Sequence, residues 1–454
     1  MPLIKSISGA RGTIGGTLGQ SLTPFDIVTI TSSFVHNIIK NKPEKIIIAR
    51  DARPSGMIIK NIVTATIQSM GVNVEDLGLS TTPTLALAIK NKKASGGIMI
   101  SASHNPGKWN ALKLFNSNGE YIDHECAKKI FQGTDLTSIK FATTNYIGTY
   151  TSVDDHISKH IEEIKLLPII EVDKIKKRKL KAAVDVINSS GSIAIPKLLE
   201  ALGVEIVKII NNDITGVFNH DPEPIPENLN ELANCVKQYK CDIGIAVDPD
   251  VDRLSLIDEN GVPLGEEYTL IAAADYVLQT EGGDTVSNIS SSGILKHLTE
   301  QYNFIHYEAA VGELNVVNMM KQTKAPIGGE GNGGVIYAKL HYGRDALIGI
   351  ALILSYLART NLTLSQIKAK YKQLYLKKEV VEVDHNYNFQ KLFSSLEDIY
   401  REQKINKIDG LKIYFDQDWV HVRISNTEMC IRIHAESTSL KKANSLINLI
   451  KKQI

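Results

Sequence analysis

No sign of charge dominates this chain: 51 Lys and Arg stand against 50 Asp and Glu, a net charge of +1 over 454 residues. Gathering nucleic acid or clinging to an anionic membrane takes an excess of one sign, so neither partner is expected. Long apolar runs are missing too, and no stretch reaches the roughly 20 residues of a membrane span. The opening "MPLIKSISGARG" lacks the apolar middle of a secretory signal, so a cytoplasmic protein is expected. Cysteine is scarce. Its four copies, at 126, 235, 241 and 430, show no C-x-x-C spacing, which argues against zinc and against a disulfide framework. Reduced thiols are expected. Two catalytic signatures are absent as well: the G-x-S-x-G elbow of a serine hydrolase and the G-K-[ST] ending of a Walker loop.

What is present is an ordinary globular composition, 43% hydrophobic and 22% charged. The length allows about two to four domains. Three segments, starting at Lys45, Leu180 and Asp284, share one pattern: an apolar strand, a polar turn ending in Ser-Gly, an amphipathic helix and a second strand. The Ser-Gly pairs are Ser55–Gly56, Ser190–Gly191 and Ser292–Gly293. Their unequal spacing excludes a solenoid. One α/β unit used three times is expected, with mixed sheets covered on their faces. Near the C-terminus, "LKIYFDQDWVHVRISNTEMCIRIHAES" alternates apolar and polar residues, as half-buried antiparallel strands do, and a helix closes the chain. The expected architecture is α/β with four domains, three related units followed by a C-terminal α+β domain. Divisions are expected at 1–148, 149–256, 257–368 and 369–454.

Four short motifs carry chemistry. In "GGIMISASHNPGKWNALKLF" an apolar strand opens into a polar loop, the place where open α/β sheets put their sites. Ser103 there reads as a nucleophile, an N-cap or a turn residue, and His104 alone reads as structural. In "IGIAVDPDVDR" a strand ends in Asp248, followed by Asp250, Asp252 and Arg253. Period-two spacing in extended backbone sends the three carboxylates to one side. Their repulsion calls for a hard divalent cation, Mg²⁺ most naturally; the alternative is a solvated acidic turn. "PIGGEGNGGVIY" holds Glu330 and Asn332 among glycines, either for reading sugar hydroxyls or as a plain hairpin. "HVRISNTEMCIRIHAES" crowds Arg423, Ser425, Asn426, Thr427 and Arg432 together, a phosphate cradle or a capped turn with surface arginines. Arg11, in a glycine-rich loop, and Lys113, after the serine loop, read singly as surface cations.

Together, "SASHNP", "DPDVDR", "GEGNGG" and "RISNTE" fall in order in four successive expected domains. The chain thereby resembles the α-D-phosphohexomutase superfamily over essentially its whole length. The resemblance implies four domains around a central cleft, with Ser103 carrying a phosphoryl group. Asp248, Asp250 and Asp252, with a phosphate oxygen on Ser103, would hold one Mg²⁺. Arg11, Lys113 and Arg253 would supply positive charge, and Lys113 or His104 would move the proton. Glu330 and Asn332 would hold the sugar ring, and Arg423, Ser425, Asn426, Thr427 and Arg432 the phosphate that is not reacting. A hexose 1,6-bisphosphate would prime the enzyme and serve as intermediate. Small sugar phosphates are the expected partners of a monomer or homodimer.

The sequence departs from common family patterns at Ser101 (often Thr), Pro249 (often Gly), Gly334 (often His) and Met429 (often Pro). The sugar loop matches a form associated with glucosamine phosphates, which makes interconversion of glucosamine 6- and 1-phosphate the expected reaction. Mannose and glucose phosphates are the alternative. A metal-dependent phosphatase and a non-catalytic sensor fit less well: the first needs no distal cradle, and the second would have lost Ser103 or an aspartate.

Overall fold

The computed structural model describes residues 3–39, 44–384, 387–425 and 430–454. Four sheets follow one another along the chain, with seven, four, four and five strands. The first three share a four-strand kernel. In the first sheet the order is Trp109–Asn116, Gly96–Ile100, Lys45–Arg50, Asn73–Leu79; in the second, Leu254–Ile257, Ile243–Val247, Lys181–Asp185, Glu205–Ile210; in the third, Gly334–Tyr337, Ile327–Glu330, Thr285–Asn288, His306–Ala309. In each kernel the last three strands run parallel and the first runs antiparallel to its neighbour. The repeated unit read from the sequence is therefore present three times, and its sheets are mixed.

The repetition extends to the turns. Strands Lys45–Arg50, Lys181–Asp185 and Thr285–Asn288, third in each kernel's order, end in or are followed by an Asx residue whose side chain accepts from the amide two residues on. The bonds are Arg53 N to Asp51 Oδ1 (3.0 Å), Ile187 N to Asp185 Oδ1 (3.1 Å) and Ser290 N to Asn288 Oδ1 (3.0 Å). Such turns let a short polar side chain replace a backbone partner. The helices Gly56–Ser69, Gly191–Leu202 and Ile294–Gln301 start just after them.

A strand at Tyr150–Ser152 adds to the edge of the first sheet beside Asn73–Leu79, beyond the division expected at residue 148. Helix Pro24–Ile38 covers one face of that sheet and begins in a capping box between Thr23 and Asp26. The second and third units share one core. Helix Ala346–Thr360 is buried continuously from Ala346 to Ala358, and its cluster includes Leu198 and Val247 of the second unit, Ile327 and Val335 of the third, and Leu87 of the first. An all-round apolar helix is stable in water only when wrapped in this way. Each buried Leu or Ile contributes about 1.5–3 kcal/mol relative to exposure.

The C-terminal sheet is wholly antiparallel, with order Tyr375–Glu382, Cys430–Ser437, Asp418–Ile424, Leu411–Phe415, Lys404–Asn406. Helices Phe389–Ile399 and Leu440–Lys451 contribute Leu392, Leu396, Ile447 and Ile450 to its separate core. This is the expected α+β unit. Among the described residues, no helix is long and apolar enough to cross a membrane.

Candidate active site

The three kernels place their polar loops equivalently. Ser103, the aspartate triad and Glu330 all follow or end the second strand of a kernel, where it finishes and the antiparallel strand begins. That end of an α/β sheet is where ligands bind.

Ser103 is 3% exposed and adopts φ +50°, a left-handed conformation that costs a residue with a Cβ about 1–2 kcal/mol. Arg53 overrides that cost. It is itself 1% exposed. Its guanidinium donates to the carbonyls of Ser103 (2.6 Å), Asn105 (2.6 Å), Pro106 (2.9 Å) and Trp109 (3.1 Å), and to Asp51 Oδ2 (3.0 Å). The other side of the loop is tied by Ser101, whose hydroxyl donates to Asp51 Oδ2 (2.8 Å) and accepts from the Ser103 amide (2.9 Å). The sequence reading missed Arg53 and Asp51. Their signal was a charged pair two residues apart in "ARDARPSG", at a strand end where burial makes pairing obligatory.

Ser103 Oγ donates to Asp248 Oδ2 at 2.5 Å, across 145 positions of chain. Asp248, Asp250 and Asp252 are all fully buried, with carboxylate oxygens within 4.8 Å of one another. Extended alternation does not bring them together, contrary to the sequence expectation. Residues 248–252 form a tight turn in which Val251 N donates to the Asp248 carbonyl and Val251 takes φ +63°. Asp248 Oδ1 then accepts from the amides of Asp252 (3.0 Å) and Arg253 (3.1 Å). Buried Oδ1 atoms of Asp250 and Asp252 have no hydrogen-bond partner among the described residues. Three buried carboxylates with oxygens left over fit a hard divalent cation. Burial, then the charges of Asp252 and Asp250, raise the Asp248 carboxyl well above its usual range, the mark of a site short of positive charge.

Lys113, on strand Trp109–Asn116, is 1% exposed and is no surface cation. It donates to Asp250 Oδ2 (2.5 Å) and Asp252 Oδ2 (3.1 Å). Burial opposes its charge, but Asp250 and Asp252 outweigh burial and hold it protonated, well above the usual lysine range. Thr82 also donates to Asp250 Oδ2. Arg11 lies in the strand Gly9–Thr13, opposite Ala111, rather than in a free glycine loop, and reaches Asn105 Oδ1 at 3.0 Å. Arg253 pairs with Glu223 at 2.8 Å. His104 has a buried Nδ1 with no hydrogen-bond partner. Burial, then Arg253 and Arg11, push it well below the usual histidine range, so it is neutral.

"GEGNGG" forms a hairpin between Ile327–Glu330 and Gly334–Tyr337. Glu330 accepts from Asn288 Nδ2 (2.9 Å) and Gly312 N (3.1 Å), and Asn332 Nδ2 approaches it at 3.4 Å. The sequence reading gave Arg344 no role, yet its guanidinium meets Asp252 Oδ2 (2.9 Å), Glu313 Oε2 (2.8 Å) and Glu330 Oε2 (3.5 Å). Glu313 is therefore not a surface residue; its side chain is 12% exposed and paired.

In the C-terminal sheet, Arg423 and Arg432 are direct cross-strand partners. Like charges facing each other are destabilising unless an anion sits between them. Arg423 is 7% exposed and lies 3.4 Å from Asp409. Ser425 N donates to the Cys430 carbonyl. Asn426 and Thr427 lie outside the described residues.

Family models for phosphoglucomutase/phosphomannomutase match three parts of the chain: alpha/beta/alpha domain I over residues 4–164, domain II over 158–261 and domain III over 265–375. A phosphoglucomutase/phosphomannomutase of Thermococcus kodakarensis is 34% identical over 96% of each chain. A phosphoglucosamine/phosphogalactosamine mutase of Sulfurisphaera tokodaii is 32% identical over 97% of each. Among solved structures, a phosphoglucomutase/phosphomannomutase family protein from Burkholderia thailandensis superposes with a TM-score of 0.85 at 24% identity, covering 99% of this chain and 96% of that one.

Proposed function

The chain belongs to the phosphoglucomutase/phosphomannomutase family, the α-D-phosphohexomutases, and from that membership we propose that it interconverts glucosamine 6-phosphate and glucosamine 1-phosphate through a phosphorylated Ser103. The observation that carries the reading is the bond from Ser103 Oγ to Asp248. It sets a hydroxyl group against three buried carboxylates contributed by a different unit of the fold.

Asp248, Asp250 and Asp252 would hold Mg²⁺, which when bound neutralises phosphoryl oxygens and polarises phosphorus. The protein's own residues do the rest. A sugar hydroxyl attacks the phosphorus on Ser103; a new O–P bond forms as the Oγ–P bond breaks. Such transfer depends on positioning and positive charge. Lys113, fixed in the carboxylate cluster, and Arg11 and Arg253 supply charge. Lys113, or His104 with a buried Nδ1 that has no hydrogen-bond partner among the described residues, takes the hydroxyl proton and returns one to Oγ. The resulting 1,6-bisphosphate turns round, and its other phosphate returns to Ser103. The same bisphosphate primes an unphosphorylated enzyme. Arg423, Arg432 and Ser425, with Asn426 and Thr427, grip the phosphate that is not reacting, while Glu330 and Asn332 hold ring hydroxyls.

Glucosamine is favoured over mannose and glucose on charge. Asp252 is shared with Lys113, which leaves Glu313 and Glu330 beside the guanidinium of Arg344, and an ammonium on carbon 2 would meet carboxylate there. The similarity to an enzyme named for glucosamine and galactosamine phosphates points the same way. The test compares kcat/KM for glucosamine 6-phosphate, glucose 1-phosphate and mannose 1-phosphate, each primed with its own bisphosphate. Glucosamine phosphate should lead. A tenfold lead for glucose or mannose phosphate would overturn the substrate and leave the mutase reading standing.

A further inference from the structure

Gly334 and Arg344 fit together as a steric pair. A Cβ on Gly334 would collide with Cδ and Cγ of Arg344. Glycine at this hairpin position therefore clears the route along which the arginine enters the cleft. The route starts from a rigid base. Arg344 N donates to Glu313 Oε1 (3.2 Å), and Asp345 N donates to the Val335 carbonyl (2.9 Å). Asp345 in turn caps helix Ala346–Thr360 and accepts from His160 (2.9 Å) and His341 (3.2 Å). A planar guanidinium on such a base presents its donors in a fixed fork. One edge meets Glu313, one nitrogen meets Asp252 of the metal loop, and another faces Glu330 of the sugar loop.

We propose that Arg344 is a positioning residue that joins the two loops: it tempers the charge of the aspartate triad through Asp252 and orients Glu330 toward the sugar ring. The metal and sugar in this statement rest on the functional reading above; the geometry of Arg344 does not. Two separable effects follow. As a fixed positive charge 2.9 Å from Asp252 Oδ2, it opposes a divalent cation by simple Coulomb repulsion. As a fork, it fixes the carboxylate of Glu330, which a lysine ammonium cannot do together with Glu313 and Asp252.

Three variants separate these effects. Mg²⁺ binding is measured by calorimetry without sugar phosphate, and KM and kcat are measured with glucosamine 6-phosphate. Arg344→Gln removes charge and fork, so Mg²⁺ should bind about tenfold tighter or more while KM rises by about tenfold. Arg344→Lys keeps the charge and loses the fork, so Mg²⁺ affinity should stay within about threefold of wild type while KM rises as in the glutamine variant. Gly334→Ala displaces the arginine stem and should raise KM alone. In the Arg344→Gln background it should add little, since both substitutions act through one group. Circular dichroism and melting confirm folding of each protein, and the lysine and alanine variants carry the test if the glutamine variant is unstable. Unchanged Mg²⁺ affinity in a folded Arg344→Gln protein, or fully additive effects of Gly334→Ala and Arg344→Gln, would overturn the proposal. If wild type turns over no sugar phosphate, the functional reading fails, and the Mg²⁺ titrations still decide the role of Arg344.

Discussion

Arg53 donates to the carbonyl oxygen of Ser103 at 2.6 Å, from a side chain sealed away from solvent. The contact makes the backbone at Ser103 a property of a residue fifty positions earlier. Four carbonyls and one carboxylate depend on one guanidinium. Arg53→Ala leaves Asp51 buried without its cation, a loss of about 3–5 kcal/mol. Arg53→Lys keeps the charge but cannot serve five acceptors, so activity should fall by at least a hundredfold with a smaller stability loss. Denaturant melts and turnover on the same samples check this; an active lysine variant would remove Arg53 from the site's architecture.

Ser103→Ala should abolish turnover, a drop of several orders of magnitude, because the group that carries the phosphoryl is gone. Phosphopeptide mass spectrometry of wild type after incubation with glucose 1,6-bisphosphate should find the label on Ser103. A label confined to Ser101 would contradict the assignment, although Ser101 is only two residues away.

Replacing Asp248, Asp250 or Asp252 by Asn keeps shape and removes charge. Mg²⁺ affinity and rate should fall together, and excess chelator should stop wild type reversibly. Because burial and its neighbours hold the Asp248 carboxyl above its usual range, Asp248→Asn without metal should melt no lower than wild type. Full activity in chelator is the outcome that ends the metal assignment.

Glu267 gives a prediction about pH. Burial raises its carboxyl to about 7, although Lys378 pulls the other way. It sits between the third and fourth sheets, accepting from Ser292 N at 2.9 Å and lying 3.4 Å from Lys378. A carboxyl whose folded pKa exceeds its unfolded one stabilises the fold at low pH, and that stability is lost as pH rises from about 4.5 toward 7. Glu267→Gln should remove this dependence, so that relative to wild type it gains on the order of 2 kcal/mol between pH 5 and pH 8. Parallel pH–stability curves for the two proteins would show that Glu267 does not titrate there.

The repeated unit, its Ser-Gly turns, the antiparallel last sheet and the four motifs were legible because each is local: a period, a turn chemistry or a short run. The convergence of the aspartates was legible, but not its cause. Val251 at φ +63° is a conformation that no β-branched residue announces, so extended alternation looked sufficient. Lys113 looked like a surface charge because its partners lie far along the chain; it meets Asp250 across 137 positions. Arg53 and Arg344 were passed over for the same reason. An arginine beside a strand end or a helix start is usually solvated, and only the fold shows which carbonyls and carboxylates it must satisfy.

The helix Ala346–Thr360, wrapped by residues from more than one unit, also bears on how this chain can be divided. Its partners cannot be cut away without baring an apolar cylinder, so the second and third units should be inherited, transplanted or redesigned only as a block. The C-terminal sheet carries its own core and meets the rest through polar contacts such as Ser290 with His421 and Lys412 with Glu308. It is the part that a chimera between relatives could exchange while the preceding units stay unaltered.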